Sequence, residues 1–108
     1  MKKIFLFLFT LAIGVTTLYA NPKHEFRASW MTTGYGLDWP RQKTADAQKA
    51  ELQQKLDALV AGNHNAVCLQ VRSFCDDIYK SSYEPWADCL TGTRGKDPGY
   101  GPLAFAIE

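Results

Sequence analysis

Apolar residues along the chain fall into runs of different period, and each run predicts a different element. Residues 4–18 are continuously apolar or uncharged, with Phe5, Leu6, Phe7, Leu8 and Phe9 in succession. Lys2 and Lys3 precede the run, and Ala20 stands before the polar stretch Asn21-Pro22-Lys23-His24-Glu25. A positive start, an apolar middle and a small residue before a polar stretch form the pattern of a secretory signal peptide. The run is shorter than the roughly 18 to 20 apolar residues of a spanning helix. Cleavage is therefore expected after Ala20, so that residues 1–20 are signal and 21–108 the exported portion. Asn21 rather than Cys follows the cut, so a lipid anchor is not expected, nor is stable membrane insertion after cleavage. The expected location is the periplasm or the medium.

Residues 26–33 (FRASWMTT) predict a short strand ending at Gly34. A loop through Gly36, Asp38, Trp39 and Pro40 follows. Residues 44–61 predict a helix, with Thr44 or Asp46 as cap and Leu52, Leu56, Leu59 and Val60 on one stripe. Glu51 and Lys55 are spaced as an i,i+4 pair, and Gly62 is the expected left-handed residue at the helix end. Residues 66–71 (AVCLQV) are nearly all apolar, as a parallel strand covered on both faces requires. From Arg72 to Gly101 no long period is found, yet Phe74, Tyr79, Tyr83, Trp86 and Tyr100 argue against disorder. A last helix is expected from Pro102, a residue suited to the first helical position.

Strand, helix, strand is one βαβ unit. Its two parallel strands have two open edges, and one helix covers one face only. The pattern therefore reads as the front end of a larger α/β domain.

Charge adds little. Without residues 1–20 the chain has ten basic and eleven acidic side chains, which gives no basis for binding nucleic acid or anionic membrane. Of the three cysteines, Cys68 lies in the second strand and is expected in the core, whereas Cys75 and Cys89 lie in loop-like sequence. A Cys75–Cys89 disulfide is one expectation in an oxidising compartment, two free thiols the other. His24 and His64 are isolated and the cysteine spacing matches no zinc pattern, so neither a metal nor a cofactor is expected. The segment from Gly92 to Gly99 lacks the first glycine of a phosphate loop, has no Ser or Thr after Lys96, and reads as successive turns.

The segments EFRASWMTT, LDWP, QKAELQQKLDAL, NAVCLQVR and, above all, YKSSYEPW followed by LTGTRGKDPGYGPLAFAI resemble the N-terminal part of the glycosyl hydrolase-like 10 family, also called DUF187. The resemblance runs from about Glu25 to Glu108. It implies the opening portion of a (β/α)8 TIM-type barrel and a hydrolase acting on glycans of the cell envelope, such as the glycan of peptidoglycan. Gly101 stands where the family usually carries Asp, and Ser73 where it often carries Pro.

A barrel of this kind takes about 250 residues and places its site at the C-terminal ends of the strands. That selects residues 32–39 and 70–79. Arg72 is the first candidate for holding a carboxylate, either a catalytic acid or an acidic sugar substituent, with a salt bridge to Asp76 or Asp77 as the alternative. Asp38, Gln70, Tyr79, Trp86 and Trp39 are further candidates for substrate binding. Trp39 is expected exposed and in ligand contact, Trp30 inside the barrel, Tyr83 as a sugar-stacking face, and Trp86 packing the long loop onto the barrel, with sugar stacking as its alternative. Asp76, Asp77 and Glu84 are weak candidates as catalytic acids. Glycoside hydrolysis uses two carboxyl groups about 5 to 9 Å apart, and adjacent Asp76 and Asp77 should point apart. In related barrels the catalytic acids usually sit on later strands, so the resemblance implies that they lie outside this chain and that the chain alone is inactive. Two other readings stand beside a polysaccharide hydrolase: a non-catalytic glycan-binding barrel, and a small disulfide-stapled interaction domain.

Overall fold

The structure is a computed structural model that describes residues 25–108. The proposed signal peptide and its cleavage point lie outside the described residues. Two strands and three α-helices follow in order, β1 (Ala28–Met31), α1 (Ala45–Ala61), β2 (Ala66–Leu69), α2 (Asp88–Thr91) and α3 (Pro102–Ile107), with a single 3-10 turn at Gly34–Gly36 after β1. β1 and β2 pair in parallel, from Ala28 opposite Ala66 to Met31 opposite Leu69. This is the βαβ-like α/β unit expected, with shorter strands. β1 stops because its loop takes the next backbone groups. Thr32 N donates to Asp38 Oδ2 at 2.9 Å, and Trp39 N donates to Thr32 O at 3.2 Å.

Thr44 occupies the N-cap of α1 in extended conformation without a side-chain bond, and Asp46 lies in the first turn, where a negative charge complements the helix dipole. The helix end corrects the sequence reading. Gly62 has φ −79°, and Asn63 is the left-handed residue at φ 62°. His64 N donates to Leu59 O and Asn63 N to Val60 O, each at 2.9 Å. These two bonds form a Schellman motif with Asn63 at C′, a position Asn tolerates.

The buried stripe of α1 is Gln48 and Leu52, extended by half-buried Leu56 and Leu59. Val60 is exposed, because it projects about 80° round the helix from Leu52, beyond the covered face. Glu51 does not pair with Lys55; its Oε2 accepts from Arg41 N at 2.9 Å. Leu52 packs with Met31, Trp39, Ile78, Ala87, Cys89 and Leu90. Burying a side chain of that size contributes on the order of 2 kcal/mol.

Met31, Val67 and Leu69 face this core. Alternation along a strand sends their neighbours the other way, and the paired Trp30 and Cys68 are both exposed. Cys68 is thus not a core residue, and Trp30 has no cover among the described residues. An apolar cleft of about 150 Å³ remains between the sheet, α1 and α3, lined in part by Leu56, Val67 and Leu103.

Of the two alternatives for Cys75 and Cys89, the structure has the free thiols. Cys89 is buried in the core while Cys75 lies on the surface at φ 53°. The 72–101 segment is ordered by backbone bonds: Ile78 N to Val71 O at 3.1 Å, Asp77 N to Pro85 O at 3.0 Å and Ala87 N to Asp77 O at 2.9 Å. The four-residue α2, which no sequence period signalled, closes on left-handed Gly92 at φ 79°. No helix among the described residues is long and apolar enough to cross a membrane.

Candidate functional site

In a parallel pair both C-terminal ends open on the same side, and here two loops are stitched together there. Gln70 follows β2, and its N–H still bonds Met31 O at 2.9 Å. Its Oε1 accepts from Thr33 N at 3.1 Å, from Gly34 N at 3.3 Å and from Thr32 Oγ1. Thr33 Oγ1 donates to Gln70 O at 3.0 Å and lies 2.7 Å from Ser73 Oγ. Gln70 and Asp38 therefore shape the rim. Asp38 holds the end of β1, and Gln70 ties the β1 loop to the β2 loop.

Arg72 comes next along the chain. It does not pair with Asp76 or Asp77; its guanidinium takes the carboxylate of Glu84 through two nitrogens, Nε at 2.5 Å from Oε2 and Nη2 against Oε1. A planar fork on a carboxylate fixes direction as well as charge. The Arg72 hydrogen bond, with its positive charge, holds the Glu84 carboxyl below the ordinary value. The same bond raises Arg72 above its own.

Asp76 and Asp77 are buried and differently used. Asp76 Oδ1 accepts from Phe74 N at 3.1 Å, which closes the loop turn. Asp77 is bridged through its backbone to Arg72 on one side and to Trp86 on the other. Its Oδ1 is buried and has no hydrogen-bond partner among the described residues. Burial first, and the Asp77 carboxyl second, push the Tyr79 phenol above its usual value. Arg72, Asp77, Tyr79 and Glu84 thus form one electrostatic cluster beside β2.

The aromatic candidates divide. Tyr79 and Trp86 line one open groove of about 510 Å³, together with Asp97, Tyr100 and Leu103. Tyr83 is almost wholly exposed. Trp39 is a correction: it is 0% exposed, so it meets no ligand. Its ring packs in the core, and its Nε1 donates to Gln48 O at 2.9 Å. A buried indole normally finds such a partner. The flanking Asp38 and Pro40, which suggested an exposed loop, instead fold the ring inward.

Two features were not read from the sequence. Gln48, on the apolar stripe of α1, is fully buried; its Nε2 donates to Gln42 O at 2.8 Å and Leu90 O at 2.5 Å. Tyr35 and Phe74 form a tilted ring pair over the two loops, centroids 4.7 Å apart. A polar residue at an apolar heptad-like position was a signal for the first. The second had none, since the partners are 39 positions apart. Among the described residues no three His, Cys, Asp or Glu side chains cluster as a metal would require.

Residues 25–108 match the family model described as glycosyl hydrolase-like 10. The chain is 40% identical to glycosyl hydrolase YngK of Bacillus subtilis (strain 168), over 99% of this chain and 22% of that protein. It is 34% identical to glycosyl hydrolase DigH of Escherichia coli (strain K12), over 76% of this chain and 21% of that protein. The chain spans about a fifth of the length of the curated relatives it matches.

Proposed function

Since the chain belongs to the glycosyl hydrolase-like 10 family, we propose that it is the N-terminal portion of an exported (β/α)8 barrel that hydrolyses glycosidic bonds in a cell-envelope or extracellular polysaccharide. The observation that carries the reading is the Arg72–Glu84 pair beside the unpartnered Asp77 Oδ1, at the C-terminal side of β2, where such barrels place their chemistry. The exposed face bearing Trp30 and Cys68 supports a barrel, because further strands would cover it. The Lys2-Lys3 start and the apolar run after it support export, with residues 1–20 as signal and 21–108 as barrel.

In this reading the chain positions substrate. Glu84, held ionised by Arg72, is a hydrogen-bond acceptor for sugar hydroxyls, and Tyr79 with Trp86 offers apolar faces to the rings. The acid and base that break the bond come from later strands, one protonating the leaving oxygen and the other attacking or activating water. The test is release of reducing ends from purified cell-wall glycan. A protein of the relatives' full length carrying this sequence should release them, and residues 21–108 alone should not. Failure of the longer protein to cleave would sink the hydrolase reading. Turnover by residues 21–108 would place the acids in this chain instead.

A further inference from the structure

Tyr35 combines two properties that folding alone does not favour. It is 83% exposed, and its backbone is left-handed at φ 55°, a conformation that is an outlier for a bulky side chain. The residue after Phe74, Cys75, is left-handed too, at φ 53°. The two loops thus adopt unusual backbone on both sides of the ring pair, and the pair they present faces solvent instead of the core. Phe74 is 43% exposed.

The pair stands directly over the polar stitching of the rim. A Cβ built on Gly34 would lie 3.7 Å from Gln70 Oε1 and 3.8 Å from the Phe74 ring edge. The Gln70 amide is fixed in orientation, because two backbone N–H groups point at its oxygen and an N–H cannot donate to an NH₂ group. Its Nε2 is the amide's free donor and donates to nothing among the described residues.

We propose that Tyr35 and Phe74 form the stacking platform for one pyranose ring of the bound glycan, with the Gln70 amide nitrogen donating to a hydroxyl or acetamido oxygen of the same sugar. The inference rests on the glycan reading above and names where one ring sits. An apolar face with one oriented donor at its edge matches a pyranose, which has C–H groups on its faces and oxygens round its rim. A purely apolar partner would leave the Gln70 donor unused.

The test measures chitotetraose binding to a protein of the relatives' full length carrying this sequence by titration calorimetry, alongside thermal melts. Tyr35→Asn removes the ring and suits the left-handed backbone better. It should weaken binding about tenfold while leaving the melting temperature unchanged or higher. Phe74→Leu should weaken binding by a similar factor, and Phe74→Tyr should retain it. Wild-type affinity in Tyr35→Asn and Phe74→Leu overturns this inference and leaves the glycan reading standing. A lower melting temperature in Tyr35→Asn also overturns it, since the ring would then be a packing element. A protein of the relatives' full length that binds neither chitotetraose nor purified cell-wall glycan overturns the glycan reading and this platform with it.

Discussion

Tyr100 donates its hydroxyl to Gln48 Oε1 across 2.7 Å, joining the first turn of α1 to a residue fifty-two positions later. Gln48 also donates to Gln42 O and Leu90 O, and its own carbonyl takes the Trp39 indole. One buried side chain thus fastens the β1 loop, α2 and the approach to α3 onto a single helix. Gln48→Leu keeps much of the volume but strips partners from buried groups, each costing about 1 to 3 kcal/mol when left unsatisfied. The variant should be less stable than wild type by about 3 kcal/mol in denaturant titration. A variant as stable as wild type would show that these bonds are replaced by water.

Trp39 provides a prediction that separates core from ligand site. Its ring fills the centre of the cluster with Leu52, Ile78 and Leu90. Trp39→Ala should destabilise by about 3 to 5 kcal/mol through the cavity it leaves. Trp39→Phe, retaining most of the ring, should lose far less and leave glycan affinity unchanged, as calorimetry on the folded variant would show. Weakened binding without loss of stability would return Trp39 to the ligand.

The thiols should react in order of exposure. Cys68 and Cys75 are exposed, whereas burial pushes the Cys89 thiol up from 9.0 to about 11. Iodoacetamide at neutral pH should label two thiols in the folded chain and three in denaturant, with mass mapping placing the protected one at Cys89. A group whose folded pKa is raised contributes stability in full below its unfolded value and loses it as pH rises through the folded one. For Cys89 that window is pH 9 to 11, and burial pushes Tyr100 up to about 12, which extends the alkaline loss. The Cys89 contribution is on the order of 2 kcal/mol, and Cys89→Ala should flatten the fall between these limits. An unchanged slope in the variant would contradict the assignment.

Local chemistry was legible in the sequence and remote pairing was not. The period of Leu52, Leu56 and Leu59 reveals α1, and the apolar run of residues 66–71 reveals β2 as a parallel strand, because both depend on near neighbours. Trp39 was misplaced because its flanking Asp38 and Pro40 signal a loop, while its burial depends on Gln48 and Leu90. Arg72 was singled out as a carboxylate holder, but its partner Glu84 lies twelve positions away across a folded loop. Asn63 took the left-handed position from Gly62 because the turn is set by two bonds back to Leu59 and Val60. The family resemblance reached further than periodicity, since it rests on the whole segment from Tyr79 to Ile107.

The Arg72–Glu84 pair gives the acid-side prediction. The folded Glu84 carboxyl is held below its ordinary value of 4.5, first by the Arg72 hydrogen bond. A depressed carboxyl contributes stability above its unfolded value and loses it as pH falls through the lowered folded value. Thermal melts between about pH 5 and pH 3 should therefore show a decline in wild type that is smaller in Glu84→Gln. Both partners are open to solvent screening, so the effect should shrink in high salt. Arg72→Lys keeps the charge but not the fork, and should lose part of the depression of Glu84, visible as a higher titration midpoint of its carboxyl carbon by NMR. The same midpoint in wild type and Arg72→Lys would mean that charge alone, without the two-pronged geometry, holds Glu84 ionised.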